Sequence, residues 1–406
     1  MSTSASPFSA FVTRHRFLIL FAVLSSLMGT SVGIAKVATS LYAVQLGANE
    51  SLLGLIAAAQ MVGILFVSIP IGILVDNWGP ARLFVIGTLL AGTTYVLLPL
   101  IPSTAFLLAC TAAISFFMPM RFVSLNAVFM AQLEAVGESK AGWYRGTHMI
   151  GMFLLGPVVA AAAVRGVGYS GTYWMIAALF FLTVFVSPIV FRGYTPRPEQ
   201  RRRLSFAELL AQLRLLRHEP ELRSACLLEA CGQGINGFYV FFIVAIALQT
   251  LGMSAAEATQ LITAQGISFI VALFLLGGLV SRLGHARAYP ASFALVAVSL
   301  GLLGSTQLRP LLLLAALLLG LGLGGIQIMN LTRFARIGAQ LGRGKVAALN
   351  ALAGPAGTFF GSLAGGALGQ LIGLRTVFLV CSAAAAVLFV GALQKLLATR
   401  SASEPA

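Results

Sequence analysis

Three ionisable side chains stand inside apolar runs long enough to cross a bilayer: Lys36, Arg121 and Glu229. A charge in hydrocarbon is costly unless it faces water or a partner, so each is a candidate for handling a solute or a proton. Lys36 follows a flexible Gly29-Thr-Ser-Val-Gly33 stretch. It lies about 20 residues, or ~30 Å of straight helix, into its run, past the midplane or close enough to snorkel to the far headgroups. Arg121 is too deep to snorkel and is expected to line a central cavity. Glu229 comes shortly after Arg223, so it reads either as a deep acid or as an interfacial one.

A second set is polar and uncharged. Gln60, Gln265, Ser31, Tyr42, Asn126, Gln233, Asn236, Tyr239 and Asn330 can donate or accept hydrogen bonds in a wet cavity. His148 follows Arg145 and titrates near neutral pH, although a packed, satisfied histidine reads equally well. Nothing in the chain has metal-ligand spacing, a phosphate-cradling glycine loop or a Ser/His/Asp arrangement. The four cysteines, Cys110, Cys226, Cys231 and Cys381, sit in apolar runs without a CxxC and read as small packing residues. No metal, no cofactor and no enzymatic activity are expected.

The elements that must position these residues are membrane helices. Only 9% of the 406 residues are charged and 59% are apolar, whereas a soluble domain needs roughly a quarter charged. Twelve apolar stretches of spanning length can be marked, separated at Gly, Pro and charged residues. The first, after Arg14 and Arg16, runs too long for a cleaved signal and reads as a retained helix. The net charge of +15 suggests nucleic acid until its location is considered. With the amino terminus inside, the Lys and Arg outside the spans fall on the cytoplasmic side except Arg165, Arg309 and Arg375. That distribution predicts a multi-pass protein with both termini cytoplasmic and membrane lipid, not nucleic acid, as its surroundings. The excess of Arg over Lys suggests a bacterial inner membrane.

The densest basic block lies around 192–223 and divides the chain into 1–191, a linker at 192–222, and 223–406. Within the linker, Leu204, Phe206, Leu209, Leu210, Leu213 and Leu216 form one apolar helical face, expected to lie on anionic headgroups. The two flanking segments share a register. Gly29, Leu46-Gly47, Gln60, Gly72, Leu74, Gly79 and Arg82 recur as Gly234, Leu251-Gly252, Gln265, Gly277, Leu279, Gly284 and Arg287, while Asp76 becomes Ser281. A constant offset over half the chain implies a duplicated unit, the usual build of a secondary transporter.

Gly72-Ile-Leu74-Val-Asp76-Asn-Trp-Gly79-Pro-Ala-Arg82, between spans two and three, resembles the signature loop of the major facilitator superfamily. Its weaker copy lies between spans eight and nine. The resemblance covers nearly the whole chain and implies an all-α membrane protein: twelve transmembrane helices in two pseudo-symmetric six-helix bundles. It implies that Gly72, Asp76, Gly79 and Arg82, with Gly284 and Arg287, belong to a cytoplasmic latch rather than to the solute site. Gly156-Pro157 is similar to the fifth-helix motif of the superfamily's proton-coupled exporters, and Arg121 to its fourth-helix arginine.

The expectation is therefore a monomeric, proton-coupled secondary transporter for a small anionic or zwitterionic organic solute, working by alternating access, with export favoured. Lys36, Arg121, Glu229, Gln60, Gln265, Asn126, Asn236 and Tyr239 are its candidates for solute and proton contact. A multidrug efflux antiporter and an uptake symporter are the alternatives within the class. A membrane-embedded sensor or enzyme is the alternative outside it.

Overall fold

In the computed structural model, residues 16–136, 142–192, 214–283 and 285–401 are described, and every regular element among them is helical. The long helices are α1 (Arg16–Gln45), α2 (Glu50–Trp78), α3 (Pro80–Leu97), α4 (Thr104–Val136), α5 (Gly142–Met149) and α6 (Gly156–Phe191). After the linker come α7 (Pro220–Ala245), α8 (Ala255–Leu283), α9 (His285–Ser305), α10 (Arg309–Leu341), α11 (Arg343–Ile372) and α12 (Leu374–Ser401). Their starts follow local chemistry. Asn49 caps α2, its side-chain oxygen accepting from the Leu52 amide at 2.9 Å. Proline opens α3, α7 and α10, where a missing N–H costs nothing. Ser254 and Glu257 bond reciprocally ahead of α8, at 2.8 Å and 3.3 Å, as a capping box.

Among the described residues ten segments are long and apolar enough to span, and one of them, Gly146–Phe191, has 46 residues. At 1.5 Å per residue it would run about 69 Å, twice the hydrocarbon thickness. It divides at Gly168, whose φ of +70° breaks α6 into two crossings. The glycine-rich α11 is the remaining span, giving twelve. A π-helical turn at Ile150–Leu155 joins α5 to α6. Pro157 cannot donate to Phe153, and its ring pushes that carbonyl aside, so the turn widens just before it.

Two bundles emerge with the same internal pairing. In the first, α1 packs on α5–α6, α2 on α4, and α3 on α4 and α6. In the second, α7 packs on α11, α8 on α10, and α9 on α10 and α12. The shared register extends further than the motif pairs. Gly47 and Gly252 both take positive φ, +74° and +63°. Gly168 and Gly373 do the same at +70° and +84°, at the same offset. The linker's apolar face lies almost wholly outside the described residues.

The bundles touch along α2–α11, along α8 against α5–α6, and between α1 and α7. At the end away from the chain termini the contact is tight. A β-carbon on Gly54 would lie 2.8 Å from the Gly366 Cα, so the two helix backbones meet directly. The Ser40 hydroxyl donates to the Phe241 carbonyl at 2.6 Å, joining α1 to α7. Towards the other end, where α1 and α7 begin, the bundles enclose a cavity.

Candidate functional site

The cavity between the bundles has a volume of about 580 Å³, within the range of small-molecule sites. Its rim, with Gly146, Phe274, Thr332 and Asn350, belongs to the helix ends on the terminal side. Its depth is set by Lys36 on α1, Gln60 on α2, and Gln233, Asn236 and Phe241 on α7. Phe153, Phe241, Phe269 and Phe274 supply aromatic surface.

Glu229 is the acidic pole. It is buried, 7% exposed, and lines the cavity from α7. Its carboxylate accepts from the Asn330 amide at 2.8 Å, Gln233 at 3.2 Å and Gln327 at 3.3 Å. Gln233 also donates to the Gln327 amide oxygen at 2.9 Å, closing a ring of α7 and α10 side chains. A carboxylate has acceptor capacity only, and these amides fill part of it while fixing its direction. Lys36 faces the same space from the first bundle, half-buried, and no described residue forms a salt bridge or hydrogen bond with its amine. The cavity thus carries one cation and one anion on opposite bundles, with amides between them.

Other candidates fall in several places. Gln60 and Asn236 line the cavity. Gln265 is fully buried and donates to the Asn236 side-chain oxygen at 3.1 Å, so it orients a wall residue without being one. Tyr239 is fully buried, its hydroxyl donating to the Leu261 carbonyl at 2.9 Å, and ties α7 to α8. Asn126 is half-buried in α4 and does not line the cavity.

Arg121 also stands away from the cavity, contrary to the sequence expectation. It is fully buried inside the first bundle, its guanidinium 3.7 Å from the Phe180 ring centre and 5.8 Å from that of Phe84. It donates to the Thr183 hydroxyl at 3.2 Å, while its Nε and Nη1 find no acceptor among the described residues. The physical reason is that a planar, weakly hydrated guanidinium can lie flat on an aromatic face at less desolvation cost than an ammonium. Depth in the membrane alone does not say which side of a helix a charge takes.

The sequence profile of the Major Facilitator Superfamily matches residues 19–245 and 225–406, together nearly the whole chain. The chain belongs to this superfamily. Its fold is similar to the crystal structure of the nucleoside transporter NupG, with a TM-score of 0.75 at 16% identity, covering 93% of this chain and 98% of that one. A variant of NupG gives a TM-score of 0.76 at the same 16% identity, covering 93% and 99%. No curated protein matches the sequence. Family and fold together make this multi-pass membrane protein a secondary transporter with two six-helix bundles around a solute path.

In this superfamily member the signature loop lies at the terminal end, remote from Glu229 and Lys36. Gly79 has φ of +84°, which makes the turn between α2 and α3 and favours glycine there. Asp76 and Arg82 are exposed on either side of it, as is Arg287 in the second copy; Gly284 lies outside the described residues. Gly72 has open space where a β-carbon would be, so it makes no close helix approach in this arrangement. Gln327 was not anticipated from the sequence. It is an isolated amide in a Leu- and Gly-rich run, a signal no weaker than the one that marked Asn330.

Proposed function

We propose that this transporter carries a small zwitterionic organic solute, held between Lys36 on one bundle and Glu229 on the other, by alternating access. The carrying observation is that these two opposite charges line one cavity from separate bundles. A solute bound to both would be released as the bundles rock, because the distance between its two anchors changes with the conformation. Glu229 is also the group best placed to exchange a proton with the cavity, which supports proton coupling. The Gly156-Pro157 junction, with its widened turn, supports export. With the basic end in the cytoplasm of a bacterial inner membrane, the arrangement seen is inward-facing. Asp76 and Arg82 then act on the opening and closing of that end.

The amide ring and phenyl faces favour a second reading, a nucleoside-like solute, whose hydroxyls and base edges amides can bond and whose ring can stack. The two are separated by thermal-shift titration of the purified protein with amino-acid zwitterions, dicarboxylates and nucleosides, followed by flux in proteoliposomes under an imposed pH gradient. Zwitterion stabilisation and gradient-driven flux, both lost in Glu229→Gln and weakened in Lys36→Gln, are expected. Stabilisation by nucleosides alone would replace the first reading with the second.

A further inference from the structure

We propose that a second, smaller chamber beside Lys36 is an anion subsite that seats the negatively charged group of the solute. The inference rests on the central cavity being the solute site. The chamber measures about 180 Å³, roughly six waters at liquid density, enough for a carboxylate or sulfonate and a short stem. It lies within the first bundle and shares Lys36, Gln60, Met61, Ile64 and Met152 with the central cavity, so the two spaces adjoin at the lysine.

Its chemistry points to an anion. Beyond Lys36 the chamber is lined by Thr39, Thr111 and Ser115 hydroxyls and by Tyr95, and by no carboxylate. An ammonium has three donors and no acceptor, so only an acceptor group satisfies it. Ser115 is already engaged, donating to the Ala112 carbonyl at 2.6 Å and accepting from the Gly63 amide at 2.9 Å. A second cation stands one layer behind the wall. The Phe180 ring meets Tyr95 edge-on at 5.1 Å, and the Arg121 guanidinium lies over the same Phe180 ring. The buried charged residues described are Arg121 and Glu229, and Glu229 belongs to the other bundle. Among the described residues the first bundle therefore presents a positive interior with no buried acid to this chamber, in a medium of low dielectric where such a field is weakly screened.

Paired cysteine reagents test the field directly and need no known solute. In a background with Cys110, Cys226, Cys231 and Cys381 replaced, Thr111→Cys and Thr39→Cys report the chamber, and Thr358→Cys reports the central cavity beside Gln233. Each is treated with sulfonatoethyl and trimethylammonioethyl methanethiosulfonate. The thiolate attacks the thio sulfur, a disulfide forms and methanesulfinate leaves with the bonding pair. A positive field also promotes thiolate formation, but equally for both reagents, so their rate ratio, taken relative to that for a free thiol in solution, isolates selectivity. At the chamber cysteines the anionic reagent should react roughly tenfold faster, and Lys36→Gln should bring the ratio towards one. At Thr358→Cys the anionic preference should be absent. A faster cationic reagent in the chamber, or a ratio indifferent to Lys36→Gln, overturns the proposal. So does silence at both chamber cysteines while Thr358→Cys reacts. If zwitterions fail to bind or move while the labelling ratio stands, the functional reading falls and the anion subsite survives.

Discussion

Lys36 has Phe241 as its counterpart in the second bundle, and Glu229 has Leu24 in the first, so neither charge is repeated. The glycines are. A β-carbon on Gly156 would come within 2.6 Å of the Gly33 Cα, and one on Gly361, its counterpart, within 2.7 Å of the Gly234 Cα. Gly156 and Gly361 each meet a glycine backbone on the neighbouring helix, so packing holds the register at this position, although the partner shifts by a turn: Gly33 has Phe238 as its counterpart. A wall that faces a cavity has no such steric demand, and there the two bundles have taken opposite chemistries. The first is cationic and holds a side chamber. The second carries a carboxylate in an amide ring. Duplication here fixed the moving parts and left the recognition surfaces free to differ.

The contrast should break most severely at Glu229. Glu229→Gln keeps size and one acceptor but removes the only buried acid described in either bundle. Losing one partner of a desolvated charge pair costs about 2–5 kcal/mol, so flux of the solute that stabilises the wild type should fall by more than about thirtyfold. The melting temperature should change little. Lys36→Gln should do less, because the chamber hydroxyls and Arg121 remain. Equal losses would mean that the chamber adds nothing to the lysine.

The two seams between the bundles differ as well. Gly54 and Gly366 press backbone on backbone, whereas their counterparts at the α8–α6 seam are Thr259 and Ala161. Gly54→Leu places atoms where the Gly366 backbone cannot yield, a cost felt only while the far end is closed. A differential of 1–3 kcal/mol moves the equilibrium 5- to 150-fold toward the form parted at that end. Spin labels across the far ends of α2 and α11 should show a longer distance in the variant. An unchanged distance distribution would show that this seam does not move.

Arg121 tests whether the first bundle's charge is structural. Its contact with Phe180 contributes about 2 kcal/mol at a desolvated site, while the desolvation penalty of an arginine with unpartnered nitrogens is several kcal/mol. Arg121→Met should therefore leave the purified protein at least as thermostable as the wild type. Arg121→Lys should be less stable, since an ammonium cannot spread over a ring. If Arg121→Met also lowers the anionic preference of a Thr111→Cys label, the guanidinium acts on the chamber through its field. A clear fall in melting temperature would make it a structural cation instead.

The twelve spans and their division into two related bundles were legible because apolar length and the glycine register are written in one dimension. The site was legible in part. Lys36, Gln60, Glu229 and Asn236, picked out as charged or polar residues in apolar runs, line the cavity. Arg121, Gln265 and Tyr239 do not, because helix depth is visible in a sequence whereas helix rotation is set by packing. The chamber was invisible for the same reason. Thr39, Thr111, Ser115 and Tyr95 come from three helices, and none is unusual in its own run.

The smallest expected effect separates Gln60 and Gln265, the uncharged polar pair that the register repeats. Gln60 lines both spaces, while Gln265 lies beneath the wall and bonds Asn236. Gln265→Leu removes a buried hydrogen bond, worth about 0.5–1.5 kcal/mol, and leaves the Asn236 oxygen to cavity water. It should lower the melting temperature by a few degrees and alter solute affinity only through the loosened Asn236. Gln60→Leu should do the reverse. Its amide already meets the cavity, so little folded-state bonding is lost and stability should hold. Affinity should drop a fewfold, because a polar contact to the solute is replaced by a methyl surface. Thermal denaturation and ligand titration of the two variants side by side give four numbers. If both variants lose stability alike, Gln60 is a structural amide and the pair is symmetric in role as well as in register. If both lose affinity alike with stability intact, Gln265 reaches the solute in another state of the cycle, and the second bundle rotates α8 toward the cavity as it moves.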